Sequence, residues 1–159
     1  MSFPVDAFQT CAAASLSKGE FFTDGQEWYL AVDYVGKSDQ KISAIQVTNT
    51  ASPAGPIWGD IDQRLKVMRI AKPYVTAIHS DKFPAALRSF TGMPIIVGLE
   101  PTIVGKFGHD EIVFTVSGDR RPDRAEMMRA SQFSDWALWI AKEDGSKVGG
   151  EPLFRVAAV

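Results

Sequence analysis

The chain has a single cysteine, Cys11, so no internal disulfide can form. Set among alanines, that thiol reads as a small buried apolar residue. Its only neighbouring cation, Lys18, stands too far along the chain to activate it as a nucleophile. There is no run of 18 apolar residues, which excludes a transmembrane helix. The first residues lack the basic start and long apolar core of a secretory signal. The one asparagine, Asn49, is followed by Thr50 and Ala51, so no glycosylation sequon exists. Charge of one sign is also scarce: a formal net charge of -2 gives no global field towards nucleic acid or anionic membrane. These absences place the chain in a reduced, cytosolic setting and away from membranes.

Several signatures of chemistry are missing too. Neither phosphate-cradling glycine pattern occurs. Gly105-Lys106-Phe107-Gly108 puts a lysine between glycines, but it reads as a hairpin tip. There is no G-x-S-x-G, and Ser117-Gly118 is not a nucleophile elbow.

What is present is bulk to bury. Of 159 residues, 45% are apolar and 23% charged, with four tryptophans and ten phenylalanines, which suits one globular domain over 1–159. The densest β-branched stretch runs from Met93 to Ser117. Ile112, Phe114 and Val116 alternate with Val113 and Thr115, the period of a strand with one buried face. Pro94 to Val97 is a short continuous apolar run, and Pro101 breaks a strand or sits on an edge. With Gly105, Gly108, His109 and Asp110 as turn formers, a hairpin of roughly 102–107 with 111–117 follows.

Elsewhere the periodicity alternates between two and 3.6. Pro4 to Ser17 carries Val5, Phe8, Ala12 and Leu16 at helical spacing, with Pro4 at the first position and Gly19 as a C-terminal cap, and predicts a helix. Glu27–Val35, Ile42–Thr48, Tyr74–His79, Trp136–Ala141 and Leu153–Val159 predict strands, with turns at 36–39 and Asp144-Gly145. Asn49–Asp60 predicts a surface loop around Trp58. Residues 61–71 fit a helix through Ile61, Leu65 and Met68, and a strand through alternation of Leu65, Val67 and Arg69; the helix is favoured. Phe83–Phe90 and Asp123–Phe133 are further helices by composition. The expected class is α+β: one mainly antiparallel sheet of about six to eight strands, with about three helices including an N-terminal one. Helices would cover one face, leaving the other to curl towards a barrel or to pack on a partner.

Ionisable groups are scattered. His79-Ser80-Asp81 with His109 has the residue types of a two-histidine, one-carboxylate metal site, near Arg120. Few residues lie between Ser80 and His109, which argues against several regular strands separating the ligands. His109, Asp110 and Glu111 could do acid–base work, but consecutive strand residues point to opposite faces. Arg120, Arg121, Arg124 and Arg129 lie near Trp136 and Trp139, as a single-strand nucleic-acid surface would require. Asp119, Asp123 and Glu126 interleave with them, as in an internally paired helix start. Trp58, in a proline- and glycine-rich segment, is an aromatic that could be presented to a partner.

The expectation is a non-catalytic binding or interaction domain without a cofactor. Its partner would be a protein or small molecule, or a second copy joined at an open sheet edge. The first rival is a small metal enzyme using His79, Asp81 and His109. The second is single-strand nucleic-acid binding through the Arg120–Arg129 region.

Overall fold

A computed structural model describes residues 2–36, 42–50, 55–86, 93–97, 100–121 and 130–157. Among them there are fifteen strands, two single-turn 3-10 helices and no α-helix. The fold is β throughout, in two sheets of twelve and three strands. The expected single-sheet α+β arrangement with three helices is therefore overturned.

The large sheet is organised around a five-strand core. β3 (Trp28–Asp33), β4 (Ile42–Gln46) and β5 (Gly55–Trp58) form an antiparallel meander. β5 then runs parallel to β10 (Pro101–Phe107), with Gly55 opposite Gly105. β10 forms the expected hairpin with β11 (Asp110–Thr115), from Thr102 opposite Thr115 to Phe107 opposite Asp110. The turn after β11 comes back to β3, where Asp33 N–H donates to Gly118 O at 2.8 Å. The sheet thus bends round on itself. One pleat face of each strand points inward, and Leu30, Val32, Ile45, Ile57, Ile103, Ile112 and Phe114 all meet in one buried cluster.

Outer faces are covered as well. Val104 and Val113 pack with Ile96 of β9 (Ile95–Val97), so the central hairpin is apolar on both sides. Ala31 and Ala44 are covered by Ala13, Leu16, Phe22 and Val67. That cover comes from the N-terminal segment, β2 (Phe21–Thr23) and β6 (Lys66–Ile70), with β2 lying between β6 and β3.

The N-terminal segment is where the helical reading fails. Residues 5–15 form a 3-10 helix Val5–Ala7, β1 (Phe8–Ala12) and a second 3-10 helix Ala13–Ser15. The stripe that suggested a helix is not a buried face, since Val5 is 90% exposed. A lone helix of this length is marginal in water. β1 instead pairs residue for residue with β6, from Phe8 opposite Ile70 to Ala12 opposite Lys66. The same pairing decides 66–70, because β6 lies between β1 and β2 and must bond on both sides. The two misread helices are therefore one error.

Other corrections are smaller. Gly55–Trp58, expected in a loop, is strand β5. Ala85–Ala86 is β8, pairing with β13 (Ser131–Phe133), where helices were expected. The rest of those helices, 87–90 and 123–129, lies outside the described residues, as do most of the turn at 36–39 and residues 51–54 of the loop. No helix among the described residues is long and apolar enough to cross a membrane.

The small sheet is β15 (Phe154–Val156), β14 (Trp136–Ala141) and β7 (Val75–His79), in that order. Trp136, Leu138 and Ile140 alternate inward, as their spacing predicts. Phe154 ties the layers together: its ring lies 5.6 Å from Trp136, 5.7 Å from Trp28 and 6.3 Å from Phe21, centroid to centroid.

Candidate functional site

The site follows from the register of the small sheet. Leu138 stands opposite Ile78 and Ile140 opposite Thr76. Opposed residues share a face, so Thr76 and Ile78 point towards the large sheet, as Leu138 and Ile140 do. β7 ends the small sheet. Where it ends, the two sheets diverge and leave a cleft of about 640 Å³. Ile78 and Trp136 form one wall, and Phe21, Ile95, Val97, Val116 and Phe133 the other. Thr76, His79, Ser80 and Ser117 supply its polar side chains.

The walls are held in place. Trp136 donates its indole N–H to Met93 O at 2.7 Å, a buried bond that fixes the ring. At the other end, Gly19 and Ser117 line the cleft where two turns meet back to back. Gly19 and Gly118 have φ of 85° and 91°, and a Cβ on Gly118 would come within 2.7 Å of Gly19 N. Only glycine allows both the conformation and the approach.

Lys18 pins these turns, at 2.8 Å from Asp33 and 2.9 Å from Asp119. Hydrogen bonds to Asp119 and then Asp33 raise the Lys18 ammonium well above the ordinary lysine value. For Asp33, partial burial pushes the carboxyl up. The Lys18 hydrogen bond, the Arg120 backbone N–H and the charges of both residues outweigh it, so Asp33 sits below its ordinary value.

The opposite face of the small sheet carries a second, smaller hollow of about 200 Å³. Register puts Arg155, Ala137 and His79 in one row across it. Ala137 is small, so a space opens between the flanking side chains, walled by Trp139. Its charges are mutually engaged: Lys82 lies 2.9 Å from Asp135, and Arg155 3.9 Å from Asp81.

The residues singled out by sequence are not gathered here. His79 and Asp81 share the smaller hollow. His109 lies in the turn beyond β10, the strand whose first residue, Pro101, lines the cleft with His79. Six steps of extended chain part Pro101 from Phe107, roughly 20 Å. Among the described residues no group of three or more His, Cys, Asp or Glu could hold a metal ion.

Arg120, Arg121 and Trp58 are not part of the cleft lining. Arg121 lies 3.0 Å from Glu100, and Arg120 donates its backbone N–H to Asp33. Both are exposed on β12 (Arg120–Arg121) beside β11. Arg124 and Arg129 lie outside the described residues. Trp58 ends β5, opposite Ala44, and is 53% exposed. The Phe107 ring lies against the next residue, Gly59. Cys11 is partly buried against the cover of Ala31 and Ala44.

The cleft residues Phe21, Val97, Val116 and Phe133 were not marked by sequence reasoning. Sequence predicted the strand at Trp136–Ala141, but no local pattern tells that β9, β13 and β7 meet. No protein-family model, curated protein or solved structure matches the chain.

Proposed function

We propose that the protein is a non-catalytic binding domain whose ligand lies in the cleft between the two sheets. The observation that carries this reading is the lining: a mostly apolar space of about 640 Å³ in which, among the described residues, His79 is the one titratable side chain. Binding clefts have this size and make-up, with apolar walls and a few polar groups that orient the ligand. Acid–base and nucleophilic mechanisms commonly use a second ionisable group to activate or orient the first, and the described residues of the lining supply none. A cytosolic location accompanies the proposal, since Cys11 is a free thiol.

The test is a fluorescence titration with the apolar dye 1-anilinonaphthalene-8-sulfonate. The wild-type protein is expected to bind it with a blue-shifted rise in emission. Val97→Trp, which fills the cleft, is expected to lose most of that signal while keeping the wild-type circular dichroism. Failure of the folded wild type to bind the dye, or equal binding by the filled variant, overturns the reading.

A further inference from the structure

We infer that the occupant of this cleft is an extended peptide segment of a partner protein, which adds a strand to the edge of β7 that no described strand pairs with. This rests on the cleft being the binding site. On β14, the carbonyls of Leu138 and Ile140 accept from Leu153 and Val148, on the side away from β7. In an antiparallel ladder the bonding direction alternates along the strand. Ala137, Trp139 and Ala141 therefore bond to His79, Ala77 and Val75 across the β7–β14 ladder. The peptide groups of Thr76 and Ile78 are left facing the opposite way. Among the described residues nothing pairs with them, and β7 has β14 as its one neighbour in the sheet.

Thr76 and Ile78 thus bring two things to one place. Their side chains line the cleft, and their N–H and C=O groups run along its mouth. A purely apolar ligand would cover those groups without satisfying them, at about 1–3 kcal/mol for each group buried unpaired. A peptide strand satisfies them and sends every second side chain into the cleft. The walls, Val97, Val116 and Phe133 among them, call for apolar side chains at those alternate positions. Apolar surface also flanks the edge: Val75 is 41% exposed at its start, and Phe83, just beyond its end, is 97% exposed. A second copy of the chain fits poorly, because its own large sheet would arrive on the same face and collide with the first.

The test uses random heptapeptides displayed on phage, panned on the full chain. An enriched peptide is then synthesised and titrated by calorimetry. Thr76→Pro removes an outward N–H that β14 does not use, so it leaves the β7–β14 ladder intact. It is expected to weaken the peptide at least tenfold, whereas Gly150→Ala, which lies outside the cleft lining, is expected to bind as wild type. N-methylation of the peptide at alternate residues should abolish binding in one phase and spare it in the other, a readout that does not depend on the proline variant folding. The peptide should also displace the anilinonaphthalene dye. Dye binding without any enriched peptide, or with a peptide indifferent to N-methylation and to Thr76→Pro, overturns this inference and leaves the cleft reading standing. Loss of both dye and peptide binding overturns both. A concentration-dependent dimer abolished by Thr76→Pro would assign the edge to a second copy and refute the partner peptide.

Discussion

Replacing Gly55 by alanine tests how closely β5 is held against β4 and Met93 in the large sheet. Gly55 and Gly105 face each other in the parallel pairing, and both are buried. Neither has a left-handed φ, so any penalty is one of space. A Cβ on Gly55 would lie 2.0 Å from Gln46 O and 2.3 Å from Met93 Cε. The first of these is backbone of the paired strand and cannot rotate away. A Cβ on Gly105 would meet Ile57 Cγ1 at 2.6 Å, a side chain that can change rotamer at some cost.

Overpacking costs about 1–3 kcal/mol, while alanine in an allowed conformation returns about 0.4–1 kcal/mol through the unfolded chain. Gly55→Ala should therefore lose about 2–3 kcal/mol and Gly105→Ala about 1 kcal/mol. For a domain of this size, the larger loss lowers Tm by about 4–12 °C. Gly150 has nothing within 4 Å of its would-be Cβ and no left-handed φ, so Gly150→Ala should be neutral or slightly stabilising. The assay is urea unfolding followed by circular dichroism, with thermal scans alongside. A wild-type midpoint for Gly55→Ala would refute the close approach of the β4 backbone and Met93 to β5, and the reverse order of the first two variants would refute the steric account.

Other outcomes follow from single contacts. Trp136→Phe strands the buried Met93 carbonyl and should cost about 1–3 kcal/mol, seen as a lower urea midpoint with an unchanged slope. Asp33 titrates below its ordinary value in the fold, so on acidification the unfolded chain takes up this proton first. Its contribution is complete above the ordinary value of 3.8 and is lost as pH falls through the lower folded value. Asp33→Asn should flatten the acid limb of a stability–pH curve, and an unchanged limb would contradict the Lys18–Asp33 pairing. Tyr29 is raised to about 12, by burial first and then by the charge and hydrogen bond of Asp24. One of the three tyrosines should therefore titrate late in an ultraviolet titration, with stability lost as pH rises from about 10 to 12. Trp58→Ala should cost about 1–3 kcal/mol, because nearly half of that large side chain is out of water, and an unchanged urea midpoint would show that it contributes nothing to the fold.

Some of this architecture was legible in the residues themselves. The 102–117 hairpin and the strands at Trp28, Ile42, Val75 and Trp136 follow from a period of two, which the pleat imposes on any strand with one buried side. Cys11, expected to be buried, is only partly so. Residues 5–15 and 66–70 were not legible, because each makes sense as a strand only beside the other, and 53 residues part Ala12 from Lys66 in the chain. The cleft was hidden for the same reason. Its walls come from β2, β7, β9, β13 and β14, and each contributes one or two ordinary apolar residues that any buried strand would carry. Alternation is set by neighbours one and two positions away, so sequence alone determines it. Which faces meet, and which edge stays open, depend on pairings between distant segments, and only the tertiary structure decides them.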